Sequence, residues 1–403
     1  MYKRTKKQRI ATKVKKVWEQ PWVLWVVYGL ASILISVQRL ALTVHTIPRS
    51  WTQYENYVIF KNSFGHLISG QNPYAPFPDE QWDLFKYSPA FALFMAPFQA
   101  LPDYLGLPLW NLLNALLPLA ALLALPVLSL RQRVLCAWFI LPELVVSLQN
   151  SQSNGFTLGL MLMAFVAFEQ TKPFRAAGWI TAATFLKLFG IFAAPFALLY
   201  PQKRFFSLSM VLWTFFFTLI PLLFISSTQL VHLYQWWGEL LNEDHSASIG
   251  LSVQGWLETW FGWNPPKMAI TITGIALLFA TIIATALRGH TGRDRALVWA
   301  GLLLWVVIFN HKAESPTFVI ALCGAAIWYF SGEQKRWESI LLGIIFIFAS
   351  LTPTDIFPRA IREQVVQPYV LKAVPCIALW GLITFRILFP GKPNNNFIWK
   401  TYS

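Results

Sequence analysis

Acids and aromatics alternate along one segment of the chain. Tyr54-Glu-Asn-Tyr-Val-Ile-Phe60 is followed by His66-Leu-Ile-Ser-Gly-Gln-Asn-Pro-Tyr74 and then by Trp82-Asp-Leu-Phe-Lys-Tyr-Ser-Pro89. Glu55, Asp79, Glu80 and Asp83 thus lie among Tyr54, Tyr57, Tyr74, Trp82 and Tyr87, with Asn56, Asn72 and Lys86 between them. Aromatic faces beside carboxylates suit a sugar ring, and a carboxylate at a membrane surface can act as general base. On composition alone, the same segment also reads as a solvated amphipathic loop with its aromatics in the interfacial belt.

Three further groups stand out against apolar surroundings. Lys187 sits in Thr184-Phe-Leu-Lys-Leu-Phe189 with no acid near it in sequence. A lysine in an apolar segment is costly and functional by default, suited here to a lipid phosphate; a snorkelling interfacial lysine is the other reading. The cluster Gln149, Asn150, Gln152 and Asn154 offers donors and acceptors for hydroxyl groups, or forms a plain polar turn. His311-Lys-Ala-Glu-Ser-Pro-Thr317 lies between two very apolar runs. There Lys312 can bind phosphate, Glu314 can orient it or bind acceptor hydroxyls, His311 can do either, and Ser315 completes the loop. A Lys312–Glu314 ion pair is the structural alternative. Asp355, Arg359 and Arg362 form a last group, whose arginines, if helical, share a face that could hold phosphate or simply meet solvent.

The elements that must carry these residues follow from composition. The 403 residues are 56% hydrophobic and 12% charged, against roughly a quarter charged in an average soluble protein. Too few charges remain to cover a soluble domain of this size, and disorder requires low hydrophobicity. The chain therefore reads as an all-α polytopic membrane protein forming a single unit, residues 1–403. The net charge of +14 does not indicate nucleic acid. Lys3, Arg4, Lys6, Lys7, Arg9, Lys13, Lys15 and Lys16 precede the first apolar run, and such a cluster marks the cytoplasmic side and anionic lipid contact. Residues 1–20 and 391–403 read as basic cytoplasmic tails. Cys136, Cys323 and Cys376 all sit in apolar runs and read as small core residues.

Apolar runs fall near 21–43, 88–100, 104–130, 134–149, 155–170, 176–201, 207–225, 264–287, 296–310, 318–330, 339–357 and 371–390. Basic connectors at Arg131/Arg133, Lys172–Arg175, Lys203/Arg204, Arg288–Arg295 and Lys335/Arg336 predict one side, and the segments 44–87, 226–263, 311–317 and 358–370 the other. This is consistent only if 88–100 is half-inserted and 176–201 is a bent pair with Lys187 near its far tip. About 11–13 spanning or half-inserted helices are expected, with amphipathic helices in the outer loops 44–87 and 226–263. His45, His66, His232, His245, His290 and His311 show no metal-ligand spacing. Glu143, in Leu141-Pro-Glu-Leu, faces either a cavity or a buried base.

The order of motifs resembles glycosyltransferase family 87. An acidic position is followed by Gly70-x-x-Pro-Tyr74, then Tyr87-Ser-Pro89 opening an apolar run, Leu101-Pro-Asp, Trp110-Asn-x-x-Asn114, the polar stretch 149–154, and Ala177-Gly178 ahead of Lys187. The likeness covers roughly residues 50–200. It implies a GT-C fold, a polyprenyl-phosphate-linked sugar (mannose or a similar hexose) as donor, and a lipid-linked or glycan hydroxyl as acceptor. The site would lie on the non-cytoplasmic face of a bacterial inner membrane, with inverting chemistry and no required cofactor. Some GT-C enzymes use a divalent ion; Asp79, Glu80 and Asp83 give that no clear support here. The family's catalytic aspartate would fall at Asn56, which cannot take a proton. The resemblance therefore implies Glu55 as base by a one-residue shift, with Asp83 as second choice. Phosphate is a good leaving group, so a base and cations (Lys187, Lys312, Arg359, Arg362) suffice. A lipid or sugar transporter and a non-catalytic relative remain the alternatives.

Overall fold

The computed structural model describes residues 17–45, 50–242, 250–354 and 356–390. The basic residues before Val17, His245, Asp355 and the tail from residue 391 lie outside them.

Proline opens the first helix, α1 (Pro21–Ala41), where its missing N–H costs nothing. Two short strands follow, β1 (Thr43–His45) and β2 (Ser50–Thr52), paired antiparallel with Val44 opposite Trp51. This ladder departs from the purely helical expectation for the outer loop; β-branched and aromatic residue types favour strands. The loop then carries α2 (Glu55–Ile68). The run at 88–100 is broken into α3 (Pro89–Phe94), capped by the Ser88 hydroxyl, and α4 (Ala96–Ala100). Pro97 ends α3, because its ring leaves no N–H for a continuous ladder. Neither piece is long enough to cross a bilayer.

The bundle proper is built from α5 (Asp103–Ala124), α6 (Leu130–Gln149), α7 (Asn154–Glu169) and α8 (Pro173–Leu186). Leu188–Leu199 then returns as a 3-10 helix. After it come α9 (Lys203–Leu219), the outer helices α10 (Ser227–Asn242) and α11 (Val253–Phe261), and α12 (Lys267–Arg288). The chain closes with α13 (Gly292–Ile308), α14 (Phe318–Ser331), α15 (Arg336–Ile345), α16 (Arg359–Ile361) and α17 (Val374–Leu388).

Burial sorts these helices. On α13, Val298–Ile308 is buried without interruption, and on α14 almost every residue is, as befits helices apolar all round. By contrast, α9 exposes Phe205, Leu208, Leu212, Phe215 and Phe216, and α12 exposes Met268, Ile272, Ile283 and Leu287. Exposed apolar faces of that extent are untenable in water and natural against lipid. Among the described residues four helices are long and apolar enough to cross a membrane: α1, α5, α9 with its continuation to Leu223, and α12. Shorter apolar helices at 154–169, 188–199, 315–331 and 374–388 complete the bundle.

The segment 173–200 decides the position of Lys187. Lys187 reaches Asn154 at the head of α7, while the Tyr200 hydroxyl donates to Glu169 at its foot (2.6 Å). The chain therefore climbs alongside α7 as α8, turns at Lys187 and comes back down. This up-and-back excursion is the bent pair that the charge pattern required.

Candidate functional site

A turn with an unusual backbone frames a polar cluster at the head of α7. Between α6 and α7, Ser151 has φ 51°, a left-handed conformation uncommon for a side-chain-bearing residue. The strain is held from outside: the Trp110 indole donates to the Ser151 carbonyl at 2.9 Å. Gly155 follows because a Cβ there would lie 2.2 Å from the Asn114 carbonyl oxygen. The Asn114 amide oxygen in turn accepts from the Phe156 N–H at 2.8 Å, so the Trp110–Asn114 motif positions this turn.

From that turn the side chains form a continuous chain. Lys187 donates to the Asn154 amide oxygen, Asn154 donates to Gln152 at 2.6 Å, and Gln152 donates to Glu314 at 2.7 Å. The Glu314 carboxylate lies within electrostatic reach of Lys187. Ser153 donates to the Tyr87 hydroxyl at 3.2 Å, and both Glu314 and Asp83 act on that phenol. Burial pushes the Tyr87 phenol well up, so it stays protonated and can donate. Tyr74 donates to the Tyr87 carbonyl at 3.0 Å, and Asn72 accepts from the Tyr74 N–H at 3.0 Å, which shapes the Gly-x-x-Pro-Tyr loop. The Leu251 N–H donates to the Ala313 carbonyl at 2.9 Å, docking the second outer loop on the 311–315 loop.

Asn56 belongs to this assembly. Its amide N–H donates to the Asn150 carbonyl at 2.9 Å, a contact that an aspartate at this position could not make. Asn150 itself donates to the Val146 carbonyl at 2.8 Å, and Gln149 ends α6. Glu55 is turned the other way. One carboxylate oxygen accepts from the Thr52 N–H (3.0 Å) and hydroxyl (2.8 Å); the other is buried without a hydrogen bond.

The remaining candidates are distributed as follows. Asp83 pairs with Lys86 at 2.7 Å on the exposed loop and accepts from the Leu84 N–H. Tyr57 is fully buried against Phe98, a packing position. His311 and Lys312 precede Glu314 in the loop, and the Lys312 N–H is held by Asn310 at 3.1 Å. Arg359 pairs with Glu363 at 2.7 Å and Arg362 donates to the Thr354 carbonyl at 3.3 Å, contacts internal to their own segment. No group of three or more His, Cys, Asp or Glu able to hold a metal occurs among the described residues.

Two features escaped the sequence reading. Lys372, buried to 4% exposure, donates to Glu143 (2.7 Å) and to Ser315 (2.7 Å), and so ties α6 to the residue beside Glu314. Nearby Val370 has φ 54°, a genuine outlier for a β-branched residue. The signal was partial: Glu143 and Lys372 each stand within or at the edge of an apolar run, and charges so placed pair with one another or with backbone carbonyls. Asp103 is the second. It is held by Lys61 and accepts from Tyr54 at 3.1 Å, bracing α2 against α5. Burial first, and Asp103 next, push the Tyr54 phenol up to about 12.

A predominantly helical membrane bundle with a polar, charge-bearing cluster at one end suits a membrane-embedded protein that handles a polar substrate, not a soluble catalyst. A family model described as glycosyltransferase family 87 matches residues 85–310, more than half of the chain, and the protein belongs to that family. It is a membrane glycosyltransferase. No curated protein matches the sequence.

Proposed function

We propose that the enzyme transfers a hexose, mannose or a similar sugar, from a polyprenyl-phosphate donor to a hydroxyl of a lipid-linked or glycan acceptor, with inversion. The reaction would take place on the non-cytoplasmic face of a bacterial-type inner membrane, with both termini cytoplasmic. One observation carries this reading. Lys187 is held at the end of an apolar bundle with no carboxylate in salt-bridge distance among the described residues, beside amides and a carboxylate. An amino group placed in that way seeks an anion, and a lipid phosphate arrives through the membrane itself.

Lys187 binds the donor phosphate, with Lys312 in the same loop cluster as a second cation. Gln152, Asn154 and Tyr87 bind sugar or acceptor hydroxyls. Glu314 is the favoured base, because Gln152 orients one of its oxygens while the residue stays exposed. Glu55 and Asp83 are the other carboxylates to test; each is already engaged, by Thr52 and by Lys86. In the transfer step the acceptor oxygen bonds to the anomeric carbon and its proton passes to the carboxylate. The bond from that carbon to the phosphate oxygen breaks, and the lipid phosphate leaves against Lys187. The positive-inside rule supports the orientation, since Lys172, Arg175, Lys203, Arg204 and Arg295 all gather at the opposite end of the bundle.

The test is purified protein supplied with polyprenyl-phosphate mannose and an acceptor lipid extract. Glu314→Gln should abolish turnover while Glu55→Gln and Asp83→Asn retain it. Loss in Glu55→Gln alone would return the base to the first loop. Movement of the lipid across vesicles without transfer would overturn the enzyme reading in favour of a transporter.

A further inference from the structure

Away from the cluster, α8 leaves a trough in the side of the bundle. α7 and α8 form its floor, the foot of α5 one edge and α9 the other, around a cavity of about 450 Å³. That is the size of a ligand site, well beyond the packing defects found in protein interiors. Its shape is built in. A Cβ on Gly178 would lie 2.9 Å from the Trp213 ring, so only glycine lets this indole lie against α8, where it donates to the Phe174 carbonyl at 3.1 Å. Ala182 keeps the upper part of the trough open, and Trp179 and Phe217 complete an apolar lining. Water would find few partners there, whereas hydrocarbon fits.

The mouth is chemically opposite. Arg175 and Gln170 line it, and Arg175 is exposed. Lys172 shares a small crevice with Gln202, which brings the exposed Lys203 and Arg204 to the same end. The carboxylate closest in sequence, Glu169, is consumed by a two-point pairing with Arg295 (2.6 and 2.8 Å) and by Tyr200. Among the described residues neither Arg175 nor Lys172 forms a salt bridge, so the mouth is cationic. From Arg175 to Ala182 the helix rises about 10 Å, so one molecule with an anionic head and an apolar tail would satisfy both ends.

We infer that this trough binds an anionic phospholipid, with an acyl chain between α8 and α9 and the phosphate on Arg175. Basic pockets between membrane helices bind anionic lipid heads by this combination of burial and charge. The site lies at the other end of α8 from Lys187, and the inference holds whichever sugar the enzyme moves.

The full-length protein in detergent, offered dioleoyl phosphatidylglycerol and dioleoyl phosphatidylcholine together, tests it by native mass spectrometry. Wild type should retain phosphatidylglycerol in preference, and Arg175→Gln should lower that preference about fivefold, the effect of one base at a lipid surface. Ala182→Phe should reduce retention of both lipids by filling the trough. Equal retention by wild type, or unchanged retention by Ala182→Phe, would overturn the assignment. Displacement of phosphatidylglycerol by polyprenyl phosphate in wild type would also overturn it, in favour of a donor-tail groove. If Ala182→Phe does not fold, Arg175→Gln, at an exposed residue, decides alone.

Discussion

The two ends of α7 carry similar charges and use them differently. At the foot, Glu169 meets Arg295 through two parallel hydrogen bonds and accepts a third from Tyr200. Charge, geometry and hydrogen-bond capacity are all satisfied, and little is left to bind anything else. At the head, Lys187 meets a neutral amide, and the carboxylate that balances it stands two side chains further on. One end is closed, the other poised. A closed ion pair fixes helices; a cation held by amides keeps its charge available for an incoming anion. The Glu143–Lys372 pair lies beneath the poised end and is of the closed kind, and its Ser315 contact places the loop that carries Glu314.

This contrast can be broken from either side. The largest effect is expected from Lys372→Met, which strands Glu143 in the core and should cost about 3–5 kcal/mol, read as a lower melting temperature. Adding Glu143→Leu should recover most of that loss, because an apolar pair of similar volume suits the site. Lys187→Met should leave the melting temperature nearly unchanged and lower turnover by about a hundredfold or more, as removal of a charge-stabilising group does. Equal losses of stability and turnover in that variant would make Lys187 a structural lysine. At the closed end, Arg295→Met should cost on the order of 1.5–3 kcal/mol by leaving Glu169 without its guanidinium, with turnover per folded molecule intact. Asn56→Asp should destabilise by about 1 kcal/mol and lower turnover modestly, since a carboxylate would face the Asn150 carbonyl. If it instead raises turnover, the base belongs at position 56. Arg359→Ala, at an exposed i,i+4 pair, should leave the melting temperature unchanged.

Much of this was legible in the chain. The lysine isolated in Thr184–Phe189, the polar stretch 149–154 and the loop 311–315 were each conspicuous because ionisable or amide groups in apolar runs are expensive. The structure joins all three within one hydrogen-bonded chain. Asn56 was legible as a departure, but its partner was not, because the Asn150 carbonyl is a backbone group with no sequence signature. Glu55 was conspicuous for its type, yet its carboxylate is turned by the local backbone toward Thr52, which periodicity does not reveal. Lys372 was passed over as the edge of a span, since one base beside an apolar run is ordinary until its acid is found 229 positions away.

Composition and patterning by themselves determined a membrane bundle, because hydrophobicity and charge spacing act locally along the chain and a bilayer reads them directly. The excursion through Lys187 was also foreseeable, from the sidedness of its flanking bases. Which acid meets which base was decided only in three dimensions. Glu143 with Lys372, Gln152 with Glu314 and Glu169 with Arg295 are contacts between segments remote in sequence. A buried charge requires a partner, but its identity depends on how the helices pack.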